Sequence, residues 1–509
     1  MVLVGGPGDG LVERERLAMM SDELPMPGHL SAVLDGLAEN PALPEPLIGR
    51  LIAHRHGFGR VGKRADLTPA HIEEIVASGY QWLLHSLALN RRAPDDVRLW
   101  LAEHGDAAVR AALVVGARNG HRELFERLID DPDTQVREFL AQSDAVPQDL
   151  LAALAHDPDP VVRATVARWW TQAPDEVRRV LLTDPIDAVR AAACSTYYAR
   201  LPHPVPPADL LDDLVADPVT RAGVVRHLAL TPAAARRLTT DPDPDVRAQL
   251  AAHPQLPADV RERLGEDPNS RVRVAVLARP DTPEPIRERI YTAVLHAGAG
   301  SRPGHPSGDV DEETLLQQIE DHLAAVELRG LQLPWVTADP LPYLASPYPC
   351  FRRSAACSPA LTPGAVAHLL ADDDSGVRVA VAYRYPHLVD PATAERIDRD
   401  FWPGKKTNWR PADDLALPAA TLRRLATDPD PRMRCLAPRD PDLPADLASR
   451  LAHDADPRVR GAVAGHRSLP TPDLIALLAD PVDHVACTAA AAPTLPAAVM
   501  GHLLELANV

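Results

Sequence analysis

The chain has 509 residues, a formal net charge of −18, and three lysines among its 53 basic residues (Lys63, Lys405 and Lys406). This balance argues against a general nucleic-acid binder, which carries a basic surface, and favours neutral or basic partners. The N-terminus has no charged start leading into an apolar stretch, and no segment reaches a membrane-spanning length. The sequence therefore predicts a cytoplasmic protein without a membrane partner.

Cysteine and histidine usage excludes several kinds of site. The five cysteines, Cys194, Cys350, Cys357, Cys435 and Cys487, are scattered and lack CxxC spacing. Such a pattern supports neither a disulfide framework nor a metal site, and it fits small buried thiols in a reducing compartment. The 20 histidines are dispersed, and no HExxH, GxSxG or phosphate-binding motif is present. We therefore predict no metal, no cofactor and no enzymatic activity.

Residues 1–28 are irregular in pattern and are predicted to form a flexible N-terminal tail. GGPGDG at 5–10 contains glycines like those of a phosphate-binding loop, but no strand–helix pattern surrounds it. A helical pattern begins at His29, and residues 29–292 are predicted to form a first array of repeats.

A repeated unit organises the chain, and its most regular copy is 241–266, DPDPDVRAQLAAHPQLPADVRERLGE. In each copy an Asp-Pro or similar opening precedes an apolar residue and an arginine. Neighbouring copies place this arginine 26 or 27 residues apart, which is the mark of a repeat solenoid. These arginines, here called the arginine ladder, are Arg110, Arg137, Arg163, Arg190, Arg247, Arg273, Arg352, Arg378, Arg434 and Arg460.

Each part of the unit has a physical reason. Asp243 is suited to capping a helix that begins at Pro244, since a carboxylate accepts free N–H groups and proline has none to lose. Pro254 stops that helix, and the chain restarts at Pro257. The apolar positions of the two helices are Val246, Leu250, Ala251, Val260 and Leu264. Helices this short are unstable alone, so stacking on neighbours must stabilise them.

The pattern resembles the leucine-rich repeat variant family and, more distantly, HEAT repeats. The stretches that carry the resemblance are DPDPVVRATVA (157–167), DPDPDVRAQLAAHPQLP (241–257), DPDPRMRCLAPRDPDLP (428–444) and DADPRVRGAVAGHRSLP (454–470). The resemblance implies an all-α, right-handed α-solenoid of two-helix repeats of about 26 residues. Some members of the family carry an N-terminal iron–sulfur module, which is not expected here because no cysteine precedes Cys194.

The regular pattern is interrupted at 293–345, which is predicted to be an irregular insertion. It combines a Gly-rich loop at 297–309 with a longer helix at 312–328 that either joins two sub-arrays or covers a face. The apolar positions of that helix are Leu315, Ile319, Leu323 and Val326. A second array is predicted at 346–509. Its last copy has Val485-Ala486 where others have the arginine, and is predicted to end the array as a cap.

The arginine ladder is the first candidate for chemistry. Ten guanidinium groups in one register could bind carboxylates or phosphates of a partner. Nearly every one of these arginines is also accompanied by aspartates, with which it could pair in its own or the next Asp-Pro turn. HEAT repeats have a comparable Asp–Arg ladder, and this resemblance together with the excess of acids favours the structural interpretation.

The second candidate is the stretch 401–410, FWPGKKTNWR, which concentrates aromatic and basic residues in an oversized unit. Aromatic and arginine side chains commonly anchor interfaces. The alternatives are a partner-binding loop and an insertion packed on the solenoid. The candidate residues are Trp402, Lys405, Lys406, Trp409 and Arg410. A further aromatic cluster, for which core and groove wall both stay open, is Trp169, Trp170, Tyr197 and Tyr198.

These observations leave three hypotheses for function. The first is a non-enzymatic scaffold that binds a protein or peptide along an extended surface. The second is an alkyl-base DNA glycosylase, since some of those enzymes are built from HEAT-like repeats. The third is a partner or immunity-type protein for a toxin or a small-molecule pathway. The many arginines and alanines with few lysines are typical of a bacterial gene of high GC content.

Overall fold

The computed structural model of the chain describes residues 28–53, 58–118, 120–194, 204–299, 312–401, 409–507 and 509. Every regular element among these residues is a helix, so the all-α prediction is confirmed. The first helices are α1 (Gly28–Glu39), α2 (Glu45–Ala53), α3 (Phe58–Val61), α4 (Pro69–Ser78), α5 (Gln81–Ala88), α6 (Asp95–His104), α7 (Ala107–Gly116), α8 (Arg122–Leu128), α9 (Thr134–Gln142), α10 (Gln148–Leu154), α11 (Pro160–Trp169), α12 (Asp175–Leu182) and α13 (Asp187–Cys194).

The middle of the chain continues the same alternation of short helices. In order these are α14 (Leu211–Ala216), α15 (Arg221–Val225), α16 (Pro232–Leu238), α17 (Pro244–Ala251), α18 (Ala258–Leu264), α19 (Ser270–Leu277), α20 (Glu284–Ala299), α21 (Glu312–Gly330), α22 (Pro334–Ala338), α23 (Pro349–Ala356), α24 (Pro363–Leu370) and α25 (Ser375–Arg384). The last are α26 (Pro391–Asp400), α27 (Ala419–Leu425), α28 (Pro431–Arg434), α29 (Ala445–Ala452), α30 (Pro457–Ala464), α31 (Thr471–Leu477), α32 (Asp483–Ala490) and α33 (Ala497–Leu506). Single 3₁₀ turns lie at Ala208–Leu210, Leu341–Tyr343, Pro386–Leu388, Pro411–Asp413 and Ala437–Arg439.

The chain divides into two compact units. One comprises Met1–Arg118 and Pro386–Val509, and the other comprises Asn119–Tyr385. These divisions follow packing, whereas the predicted boundaries at 292, 345 and 346 follow the regularity of the sequence. The two sets do not coincide, and the sequence-based domains stay a prediction.

The most regular repeat folds as its sequence predicts. Asp243 is the N-cap of α17, and its side chain accepts a hydrogen bond of 2.8 Å from the backbone N–H of Asp245. Pro244 begins the helix and Pro257 is the N-cap of α18. The five apolar positions of this unit are each at most 1% exposed. Complete burial of one such aliphatic side chain contributes about 1.5–3 kcal/mol, so neighbouring repeats stabilise helices that are too short to persist alone.

The interrupted segment is more helical than predicted. Helix α20 runs from 284 to 299 and crosses the predicted boundary at 293, while α21 begins at 312 as expected and ends at 330. The loop positions 300–309 lie outside the described residues. Helix α21 packs against α19 and α20, and its buried face consists of Ala324, Ala325 and Leu328. The predicted apolar stripe therefore lies on a different side of the helix from its packing face.

The last repeat is covered by the first helices of the chain. Helix α1 packs against α32, and a Cβ at Gly36 would collide with the carbonyl oxygen of Cys487. The side chain of Asn40 donates hydrogen bonds of 2.8 and 2.7 Å to the carbonyl oxygens of Ala490 and Ala492. Val485 and Ala486 are completely buried. The copy without the arginine therefore packs against α1, and its role as the cap of the second array stays a prediction.

Candidate functional site

Six arginines of the ladder join their own repeat to the next through paired hydrogen bonds. In the clearest example, Nε of Arg137 lies 2.7 Å from Oδ2 of Asp157, and Nη2 lies 3.1 Å from Oδ1. Nη1 of Arg137 donates to the backbone carbonyl of Asp131 in its own turn. One guanidinium therefore binds two consecutive Asp-Pro turns, with the bidentate geometry that arginine and carboxylate favour.

The same geometry recurs in both units. Nε–Oδ2 distances are 2.6–2.8 Å and Nη2–Oδ1 distances are 2.8–3.1 Å. The bidentate pairs are Arg137–Asp157, Arg163–Asp184, Arg247–Asp267, Arg352–Asp372, Arg434–Asp454 and Arg460–Asp480. All twelve side chains are at most 17% exposed. These contacts support the structural interpretation of the ladder.

The ladder also perturbs the acidity of its members. The hydrogen bond to Asp184 raises the pKa of Arg163 above its ordinary value. Burial acts to raise the pKa of Asp184, but hydrogen bonds from Arg163 and the backbone N–H of Ile186 outweigh it, so the pKa of Asp184 is lowered. Both shifts favour the charged forms, and the pair stays ionised at neutral pH.

The other predicted ladder arginines depart from this pattern. Arg190 is bonded to Asp217, 27 residues further on, by an Nε–Oδ2 contact of 2.8 Å. Arg110 donates 2.9 Å to the carbonyl of Gly105, and Arg378 donates 2.7 Å to the carbonyl of Asp372. Arg273 donates to the hydroxyl of Ser270 at 2.6 Å, while its Nε has no hydrogen-bond partner among the described residues. The long helix α20 occupies the sequence position at which an Asp-Pro turn follows other ladder arginines.

Two ladder-like arginines were missed by the sequence pattern. Arg221 pairs with Asp241 at 2.9 Å and binds the carbonyl of Val215. The stretch 217–240, in which no arginine has the register of the ladder, therefore keeps its link to the next turn. Arg399 makes a bidentate contact of 3.1 and 2.7 Å with Asp428. The spacing between arginine and aspartate could have identified Arg221. Most bidentate pairs join an arginine to an aspartate 20 residues further along the chain, and Arg221–Asp241 has the same spacing.

A second set of contacts, the carbonyl ladder, ties the ends of the first helices together. Its members accept a hydrogen bond from the backbone N–H two residues on and donate to a carbonyl oxygen of the neighbouring repeat. Because the acceptor atom of each is fixed in this way, the amide and imidazole orientations follow from the bonding pattern. The members are Asn40 (to Ala490 and Ala492), Asn90 (to Gly62 and Arg64), His253 (to Leu228) and His466 (to Asp440).

The structure describes Phe401, Trp409 and Arg410 of the candidate stretch 401–410. Trp402, Lys405 and Lys406 lie outside the described residues. The indole of Trp409 packs edge-on against Phe401 at 5.4 Å and donates 2.8 Å to Asp414. Arg410 contacts both carboxylate oxygens of the completely buried Asp398 and donates 2.7 Å to the carbonyl of Arg432. Trp409 and Arg410 therefore have packing partners within their own unit, which supports the packed-insertion alternative for these two residues.

The structure describes part of the second aromatic cluster and the surroundings of two buried cysteines. Trp169 is 41% exposed on α11, and Tyr197 and Tyr198 lie outside the described residues. Burial raises the pKa of the Cys194 thiol to about 12 and that of Cys350 to about 11, so neither is a thiolate at neutral pH. Across the described ranges, no cluster of His, Cys, Asp and Glu has the arrangement of a metal site. Among the same residues, no helix combines the length and hydropathy needed to cross a bilayer.

The described residues define an α-solenoid built from two-helix repeats joined by two ladders of hydrogen bonds. Residues 244–269 match the family described as Leucine rich repeat variant, so the predicted resemblance is confirmed for the repeat that contains α17 and α18. No curated protein matches the chain.

Several solved structures resemble the chain in fold. The karyopherin Kap121p bound to the extreme C-terminus of the protein phosphatase Cdc14p shares 14% identity, with 95% of this chain and 49% of that chain covered and a TM-score of 0.22. Kap121p bound to Ste12p shares 15% identity, with 88% and 45% covered and a TM-score of 0.22. An engineered protein shares 14% identity, with 87% and 97% covered and a TM-score of 0.14. This chain thus spans about half the length of the karyopherin structures.

Proposed function

We propose that this chain is a non-enzymatic α-solenoid scaffold that binds a protein or peptide partner along the surface of its repeats. The observation that supports the proposal is the use of the repeated charged groups. The ladder arginines and their aspartates bind each other between repeats. Within each unit they fix consecutive helix pairs to one another, and the non-repeated side chains are left to select the partner.

The same observation weighs against the DNA glycosylase alternative. That enzyme needs a basic face, and the ladder was the part of the sequence that could have supplied one. Each bidentate arginine is instead matched by a carboxylate at 2.6–2.8 Å, so its positive field is largely cancelled. With a net charge of −18, phosphate binding is disfavoured. A toxin-binding or immunity-type role is a special case of the scaffold and is separated from it by the identity of the partner.

The test is capture of a partner by the purified, tagged chain from native lysate, with and without nuclease. The captured protein is identified, purified and bound again to the chain by isothermal titration. We expect a protein that survives nuclease and binds again with a defined stoichiometry. Capture that is lost with nuclease would overturn the proposal in favour of the nucleic-acid alternative.

A triple variant, Trp402→Ala, Lys405→Ala and Lys406→Ala, tests whether the predicted loop contributes to this binding. Its matched control is Lys63→Ala, which removes the remaining lysine of the chain at a distant sequence position. Weaker binding by the triple variant alone assigns the contact to 401–410. Equal binding by both variants moves the contact to another part of the surface.

A further inference from the structure

Helix α21 carries an apolar stripe that no other described element covers. Its five large side chains are 41–56% exposed, although leucine and isoleucine are normally among the most buried residues. Together they leave an apolar patch on the order of 400 Å², the size at which a patch on a monomer marks an interaction site. The stripe consists of Leu315, Leu316, Ile319, Leu323 and Val326.

The stripe is not a by-product of how α21 joins its unit. The helix packs through small side chains, Ala324 and Ala325, together with Leu328, and all three are at most 1% exposed. Gly298 of α20 approaches Ala325 so closely that a Cβ there would collide with it. The large apolar residues thus lie outside the packing face of the helix, and each is 41–56% exposed.

The spacing of the stripe is that of a helix-pairing seam. Leu316, Ile319, Leu323 and Val326 follow one another at intervals of three, four and three residues, as the a and d positions of two heptads do. The seam is about 15 Å long, since a helix rises about 1.5 Å per residue. A partner helix of three turns can therefore lay one apolar face along it.

One edge of the seam is negatively charged. Glu320 and Glu327 occupy the e positions beside it, and Arg271 links Glu327 to Asp245. The guanidinium of Arg271 lies 2.9 Å from Asp245 and 3.9 Å from Glu327. These three carboxylates and one guanidinium have a formal charge of −2 between them. Glu320 also accepts 2.9 Å from the amide of Asn269, which holds its carboxylate beside the stripe.

We propose that the stripe on α21 docks an amphipathic helix of a partner protein whose apolar face is flanked by lysine or arginine. This inference rests on the proposed scaffold function and names the surface and the chemistry of the partner. A second copy of this chain fits less well. An antiparallel pairing would place Glu320 and Glu327 opposite their own equivalents. A parallel pairing would place them opposite Leu315 and His322, which offer no permanent cation.

The experiment measures binding of two labelled 21-residue peptides to the full chain by fluorescence anisotropy. Both have leucine at the a and d positions, and they carry either lysine or glutamate at the flanking positions. The test variant is Leu316→Gln with Leu323→Gln. The matched control is Ile475→Gln with Leu506→Gln, which changes two equally exposed apolar residues on α31 and α33. A third variant, Glu320→Gln with Glu327→Gln, tests the charged edge.

We expect the lysine peptide to bind the wild type and the control equally and to bind the test variant at least about tenfold more weakly. The Glu320→Gln, Glu327→Gln variant should reduce the preference for the lysine peptide over the glutamate peptide. Equal affinity of the lysine peptide for test and control variants would overturn the proposal. So would sedimentation of the wild type as a dimer that the test variant abolishes, because the occupant would then be a second copy.

The captured partner separates this inference from the proposed function. If the partner binds the Leu316→Gln, Leu323→Gln variant as strongly as the wild type, the docking inference fails and the scaffold function stands. If no protein survives nuclease and purification, the scaffold function itself fails.

Discussion

Removing one ladder arginine tests whether the bidentate pairs hold the repeats together. The Arg163→Ala variant loses the contacts of 2.7 and 3.1 Å to Asp184 and the bond of 2.7 Å to the carbonyl of Asp157. The carboxylate of Asp184, 4% exposed, stays buried without its cation. Breaking a buried pair from one side costs about 3–5 kcal/mol, so we expect a destabilisation of that size.

Hydrogen exchange read by mass spectrometry suits this measurement, because a solenoid opens locally and a single unfolding midpoint would average over repeats. Exchange should accelerate in α11 and α13, which flank the pair. The control is Arg236→Ala, whose pair with Asp259 is 59% and 56% exposed and should contribute little. Equal acceleration in the two variants would refute the claim that burial makes the ladder stabilising.

Three further predictions follow from the contacts. The Asn40→Ala variant removes two hydrogen bonds that join the end of α1 to the last repeat. We expect the free energy of unfolding to fall by about 1–3 kcal/mol and hydrogen exchange in α32 to become faster. Unchanged exchange in α32 would contradict this packing. The pKa values of Asp184, Asp372, Asp454 and Asp480 are lowered in the folded chain. The stabilisation by these carboxylates is therefore complete above the ordinary aspartate pKa of about 3.9 and is lost as the pH falls through their lowered pKa values. Urea unfolding midpoints at pH 7 and pH 3 measure this loss, and equal midpoints would contradict the prediction. Burial raises the pKa of Cys194 to about 12, so this thiol should react with iodoacetamide at pH 8 only after unfolding, as peptide mapping would detect.

Much of the fold was predictable because the helix ends and the buried positions of each repeat are determined by its local sequence. Asp243, Pro244 and Pro257 mark helix ends by local chemistry that needs no knowledge of the rest of the chain. The apolar positions of 241–266 were predicted as core and are buried. The position of the ladder arginines was equally visible, whereas their carboxylate partners needed the additional rule of a 20-residue spacing.

What the sequence did not predict depends on which surfaces meet. Leu315, Ile319, Leu323 and Val326 read as a packing stripe, yet α21 packs through Ala324, Ala325 and Leu328 because small side chains let α20 approach closely. Local hydrophobicity does not report that choice.

The covering of α32 by α1 was missed for a related reason. Repeats have similar faces, so a sequence pattern does not say which one stacks on the last copy. Asn40 carried a usable signal, since Asn90 stands in a similar position and makes equivalent contacts with Gly62 and Arg64.

The most direct test of the scaffold function is hydrogen exchange of the purified chain alone and saturated with its captured, nuclease-resistant protein partner. We expect protection spread over helices of consecutive repeats, including α21, at a fixed stoichiometry. Protection absent from every repeat, or a partner that is retained only with nucleic acid present, would contradict it.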